Sequence, residues 1–158
     1  MKKFLFCMIG TMMSLLCCGT KAPEGQLVLL EYTKNGTMAG YEYFGRVEKQ
    51  PNGTFVVIAM KESYGDLYQK KIGKEELEKL KQIIVEEKMM KYKEHYRPVF
   101  EVLDGYMWHF EATFSEGARV YSSGSNARPG GDGLKRVREY LTELVADATK
   151  TVDPEKYR

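Results

Sequence analysis

Behind Lys2 and Lys3 the chain carries an apolar run, Phe4–Leu16, and turns polar at Gly19. From residue 26 onward, apolar positions fall into short runs of strand length and two stripes of helical period. Gln26–Thr33 is rich in Leu and Val and stops at Asn35-Gly36, a hairpin-turn pair. Gly40–Gln50 alternates, with Tyr41, Tyr43 and Val47 on one side and Glu42, Arg46 and Glu48 on the other. Pro51-Asn52-Gly53 is a turn, and Thr54–Lys61 reads as an inner strand. Asp66–Ile72 adds a further strand. Lys74–Lys91 predicts a helix with Leu77, Leu80 and Ile84 on one face. Glu75 and Glu76 suit the positive end of its dipole, and its charge run reads as a solvated face supported by Glu75–Lys79 and Glu87–Lys91 pairs.

Gly105–Phe114 has the sharpest alternation in the chain. Tyr106, Trp108, Phe110, Ala112 and Phe114 share one face, and Met107, His109, Glu111 and Thr113 share the other. Ser115-Glu116-Gly117 closes a hairpin onto Arg119–Ser123, and Gly-rich sequence follows from Gly124 to Gly133. A last helix is expected over Asp132–Lys150, with Asp132 as N-cap and Leu134, Val137, Leu141, Leu144, Val145 and Ala148 as its stripe. Residues 151–158 read as a loose tail. Strands, helix, hairpin and helix in that order predict an α+β fold: an antiparallel sheet of about five to six strands with two amphipathic helices packed on one face. Residues 26–150 make a single domain.

The apolar leader is shorter than the roughly 20 residues a membrane-spanning helix needs. A basic start, a short apolar run and a cysteine at its end read instead as a lipoprotein signal peptide, residues 1–17, followed by a lipidated tether, residues 18–25. Lipidation at Cys18 puts the small Cys17 at the cleaved position and Leu15 three residues before the modified cysteine. Lipidation at Cys17 would put bulky Leu16 at the cut. The expected location is therefore the cell envelope, lipid-anchored to a bacterial membrane. All three cysteines (Cys7, Cys17, Cys18) lie in this leader. The remainder has neither a disulfide nor a cysteine metal site, and its stability must come from its core.

The 24 Lys and Arg exceed the 22 Asp and Glu by two, and Lys2 and Lys3 account for that excess. Residues 18–158 are formally neutral, which argues against nucleic acid as a partner, since that would call for a basic face. No His-Glu-x-x-His, Gly-x-Ser-x-Gly, phosphate-binding loop or calcium loop occurs. No catalytic set, metal site or cofactor is therefore expected. Three features remain as candidate ligand contacts. His109 and Glu111, two apart on one strand face, have the spacing of a proton-transfer pair, although a solvated sheet face is the simpler reading. The Ser122–Gly133 loop carries Arg128, Gly130 and Gly131 ahead of a helix N-terminus, where backbone N–H groups and a guanidinium can hold an anion; Asp132 works against this. Among the eleven tyrosines, Tyr32, Tyr41 and Tyr43 either line an exposed sheet face or fill the core. His95 reads as a surface residue.

The leader ending in Leu15-Leu16-Cys17-Cys18, the pattern Asp104-Gly105-x-x-Trp108-x-Phe110-x-Ala112-x-Phe114-Ser115-x-Gly117 and the run Ser122-Ser123-Gly124-Ser125-Asn126-Ala127-x-Pro129 resemble small uncharacterised lipoproteins of Bacteroidetes-type bacteria. The resemblance implies an envelope lipoprotein and no particular activity. The acidic stretch that follows the lipidated cysteine in surface-exported members is replaced here by Gly19-Thr20-Lys21, so periplasm-facing and surface positions both stay open. The expectation is a non-catalytic domain that binds a protein or a glycan. Its rivals are a small hydrolase or transferase using the Ser122–Gly133 loop, and an accessory subunit of an envelope complex.

Overall fold

The structure, a computed structural model, describes residues 22–36, 40–100, 102 and 105–157. The signal peptide and Cys18 lie outside the described residues. Strands β1 (Leu27–Asn35), β2 (Tyr41–Lys49), β3 (Phe55–Met60) and β4 (Leu67–Ile72) run as an antiparallel meander. The β2–β3 turn is the one the sequence marks: Gly53 takes a positive φ and its N–H donates to the Gln50 carbonyl. Helix α1 (Lys74–Glu86) follows. It stops five residues short of the expected end, because Lys88 turns left-handed and Met89–Lys91 tighten into a 3₁₀ turn that buries Met89. Short β5 (His95–Tyr96) comes next, and then the hairpin of β6 (Met107–Phe114) and β7 (Arg119–Ser125). Helix α2 (Gly133–Leu144), which ends before the expected Lys150, and a short β8 (Thr151–Val152) follow. Asp132 stands at the start of α2 but makes no side-chain capping bond.

The fold is α+β, with one mixed eight-stranded sheet in the order β5-β7-β6-β1-β2-β3-β4-β8. This exceeds the five to six antiparallel strands expected. The two extra strands have two residues each, too few to show any period. Both form because a sheet edge offers them hydrogen bonds. β5 pairs in parallel with β7, where the Ser122 hydroxyl donates to the Lys93 carbonyl and the Ser123 N–H to the Glu94 carbonyl. β8 pairs antiparallel with β4.

Register assigns each side chain to a face. Leu30, Tyr43, Val47, Val57, Ala59, Phe110, Ala112 and Phe114 are buried on one of them. Both helices pack there. Leu141 of α2 lies over Gly45, the Tyr43 hydroxyl donates to the Arg138 carbonyl, and Lys81 of α1 sits above the Phe114 ring. Tyr32 and Tyr43 are buried on this face, 5.7 Å apart between ring centres, so they form core rather than an exposed aromatic sheet. The charge run of α1 is a solvated face, with Glu75, Glu78, Lys79 and Glu86 exposed. Arg136 of α2 binds Glu87 at 2.7 Å and Glu86 at 2.9 Å, clamping the helices together.

The opposite face is covered over one half only. Phe44, Val56, Ile58, Met60 and Leu67 are buried there, whereas the β1–β6–β7 half carries charge. Residues 151–158 are not loose where they are described. β8 extends the sheet, Pro154–Tyr157 form a 3₁₀ turn, and the Tyr157 ring lies 5.4 Å from that of Phe44. The Tyr41 hydroxyl donates to the Tyr157 carbonyl. Tyr157→Ala is therefore expected to lower stability by about 1 kcal/mol, the scale of one lost aromatic pair, as measured by urea unfolding. A free tail would leave the midpoint unchanged.

Candidate functional site

Two side-chain clusters lie on opposite faces of the sheet; Arg128 falls in one, His109 and Glu111 in the other, and Gly130 and Gly131 in neither. The first is a cleft of about 490 Å³ where the last residues of β1 and the first of β6 meet the N-terminal half of α2. That volume suits a small organic ligand. Tyr32 and Trp108 are buried at its floor, and half-buried Tyr106 forms a wall with Leu134. Four cations surround these rings: Lys34, Arg128, Lys135 and Arg138. Lys34 is held by Glu42 at 2.6 Å, and Lys135 meets Glu139 at 3.9 Å in an exposed pair. Arg138 donates to the Ser63 hydroxyl and stacks over the Tyr43 ring. Neither Arg128 nor Arg138 has a carboxylate partner among the described residues. Burial pushes the Tyr32 phenol above its ordinary range. Arg138 and Arg128 pull it down again, while Glu42 and Tyr106 add to the rise. These groups therefore converge electrostatically on one hydroxyl.

Local chain geometry fixes the cleft rim. Strand β7 runs to Ser125, so the loop expected over Ser122–Gly133 is shorter than the sequence suggested. Asn126 takes a left-handed conformation, and its side chain accepts from the Tyr106 N–H. The Trp108 indole donates to the Ala127 carbonyl at 2.7 Å. Gly124 permits this arrangement, since a Cβ there would lie 2.5 Å from both the indole nitrogen and the Ala127 carbonyl. Arg128 is thereby delivered to the cleft. Gly130 and Gly131 are not part of its lining, and a Cβ on Gly131 would face the Glu87 carboxylate at 3.6 Å. The expected anion cradle of these glycines with the α2 N-terminus is therefore not assembled; Arg128 serves a different wall.

His109 and Glu111 occupy the second cluster, on the far face. His109 Nε2 is 3.8 Å from Glu111, too far for a hydrogen bond. Glu111 instead binds Arg119 at 3.0 Å. Glu31 stands directly across from Glu111 in register, and Arg46 neutralises it at 2.7 Å while also holding Glu48. Tyr121 packs against the imidazole, with ring centres 4.8 Å apart. Burial pushes His109 below its ordinary value, against the upward pull of Glu31 and Glu111, and Arg119 adds to the lowering. This is an ion-paired sheet face, with every carboxylate already engaged.

One pairing was missed in the sequence. His95 Nδ1 lies 2.9 Å from the Ser123 hydroxyl. That hydroxyl also faces the Glu94 carbonyl at 3.3 Å. Among the described residues no carboxylate meets the other imidazole nitrogen, so the pair lacks the third group that orients a catalytic base. Nothing in the sequence signals it, because the parallel β5–β7 contact creates it. Ser122 is no nucleophile in this arrangement: it is buried and donates to Lys93. Among the described residues no cluster of His, Cys, Asp or Glu could hold a metal ion. No protein-family model matches the chain, and no curated protein matches it.

The depressed His109 gives a signed pH dependence. A group that titrates lower when folded contributes stability that is present above its unfolded value, about 6.5, and lost as pH falls through the folded value. Between pH 7.5 and 5.5 the wild-type chain should lose urea stability more steeply than His109→Gln. Parallel curves would show that burial does not perturb this imidazole.

Proposed function

We propose that this chain is a lipid-anchored domain of the bacterial cell envelope that binds a ligand without transforming it. It is held at the membrane through Cys18 and resembles the small lipoproteins named above. The observation that carries the reading is the aromatic and cationic cleft. It is preformed, it is lined by side chains from two strands, a loop and a helix, and two of its guanidiniums lack a carboxylate partner among the described residues.

Chain direction supports an anchored role. Residue 22 leads into β1 at Leu27, which pairs with Phe114, whereas the cleft lies at the other end of β1, around Lys34 and Trp108. At about 3.3 Å per residue the run from Leu27 to Lys34 separates the tether from the cleft by roughly 20 Å. A domain held by its N-terminus would thus present the cleft away from the bilayer. No described helix is long and apolar enough to cross a membrane, and acyl chains on one cysteine would supply the attachment. Neither the His109–Glu111 pair nor the His95–Ser123 pair offers an oriented base, which weighs against the hydrolase and transferase readings.

Two measurements test this reading. Cys18→Ala should abolish lipid labelling and move the protein out of the membrane fraction; normal processing and retention would overturn the anchor. A photo-crosslinking residue at Leu134 in the cleft should label an envelope component in native membranes. The same residue at Lys71, on the far edge of the sheet, should not. Equal labelling from both positions, or none from either, would remove the cleft as the binding site.

A further inference from the structure

We infer that the cleft takes an acidic sugar, a carboxylated pyranose or a short chain of them; this rests on the reading of the chain as a binding domain. The charge requirement comes from Arg128 and Arg138. Both are cationic at any physiological pH, and neither meets a carboxylate among the described residues. A guanidinium fork matches a planar carboxylate with two parallel hydrogen bonds. A ligand placed between them gains a charge partner that the described residues do not provide.

The remaining lining argues for a ring bearing hydroxyls. Tyr32 and Tyr106 offer apolar faces beside phenolic groups, and no hydrogen bond to the Tyr32 hydroxyl is made among the described residues. Such surfaces suit a pyranose, which presents C–H faces and an equatorial rim of hydroxyls. A bare inorganic anion would leave most of the 490 Å³ and the tyrosine walls unused. A nucleobase would want an amide or carboxylate to read its edge, and among the described residues the lining contains no Asp, Glu, Asn or Gln. The cations are spread: exposed Arg128 on the loop side, half-buried Arg138 on the helix side. Charges carried on two separate elements suit a ligand with charge distributed along an oligosaccharide better than one concentrated on a single phosphate.

Trp108 provides the readout, because it is the only tryptophan in the chain and lies at the cleft floor. Full-length protein in detergent is titrated with a hexuronic-acid tetrasaccharide, with the neutral hexose tetrasaccharide and with inorganic phosphate, following Trp108 fluorescence. The uronate should give a saturable change that weakens with added salt. Arg128→Gln and Tyr32→Phe should each weaken it about tenfold or more. Arg138→Lys, which keeps the charge but loses the fork, should weaken it several-fold, and Arg119→Gln on the far face should leave it unchanged. Equal binding of the neutral sugar, or full competition by phosphate at matching concentration, would overturn the proposal. No response to any sugar from a folded protein would also overturn it. In that case labelling through Leu134 still decides separately whether the cleft binds something else.

Discussion

Helix α2 lies this close to the sheet because residue 45 has no side chain. A Cβ there would sit 2.7 Å from a Leu141 methyl and 2.9 Å from the Tyr43 hydroxyl. Much else in the molecule depends on that close approach. It brings the Tyr43 hydroxyl to the Arg138 carbonyl and the Thr142 hydroxyl to the Met60 carbonyl, so two polar groups of the helix–sheet interface are satisfied by one placement. It also sets Leu134, Lys135 and Arg138 over the ends of β1 and β6, which makes the cleft. A glycine in mid-strand weakens the strand itself; here that cost is offset by the packing it permits.

The two faces of the sheet solve different problems. On the helical face, apolar residues meet apolar residues and burial is nearly complete. On the other, half the surface is sealed by the C-terminal segment through Tyr157 and Phe44, while the rest must stay polar. There the register sets Glu31 opposite Glu111, a like-charged pair that is unfavourable by itself. Arg46 and Arg119 flank it and resolve the repulsion. This explains why a His109–Glu111 pair that looks catalytic along one strand is a structural element in the sheet: its acid answers to a cation from the next strand.

The cleft has the opposite electrostatic character. Cations arrive from β1, the loop after β7 and α2, and among the described residues the only acid that settles a half-buried one of them is Glu42, on Lys34. The formal neutrality of residues 18–158 therefore conceals a local surplus. Charge counted along the chain averages over faces, whereas a ligand meets a single face, where low-dielectric walls strengthen what is left unpaired. The same argument separates Arg128 from Gly130 and Gly131, near neighbours in sequence that face different surroundings in space.

Sequence by itself determined the α+β class, the long strands, the two helices and the inward aromatic row of β6, because each rests on a local period repeated over enough residues to be read. The turns at Pro51-Asn52-Gly53 and Ser115-Glu116-Gly117 were legible for the same reason: their chemistry is contained in a few adjacent residues. The tertiary structure alone decided the short β5 and β8, the early end of α1 at Glu86, the docking of Tyr157 and the meeting of His95 with Ser123. It alone also assembled the cleft, from Tyr32, Tyr106, Arg128 and Arg138. These features join residues far apart in the chain, and their partners are chosen by sheet edges, register and helix docking. Periodicity reports which face a residue takes within its own element; only the packed fold specifies what that face meets.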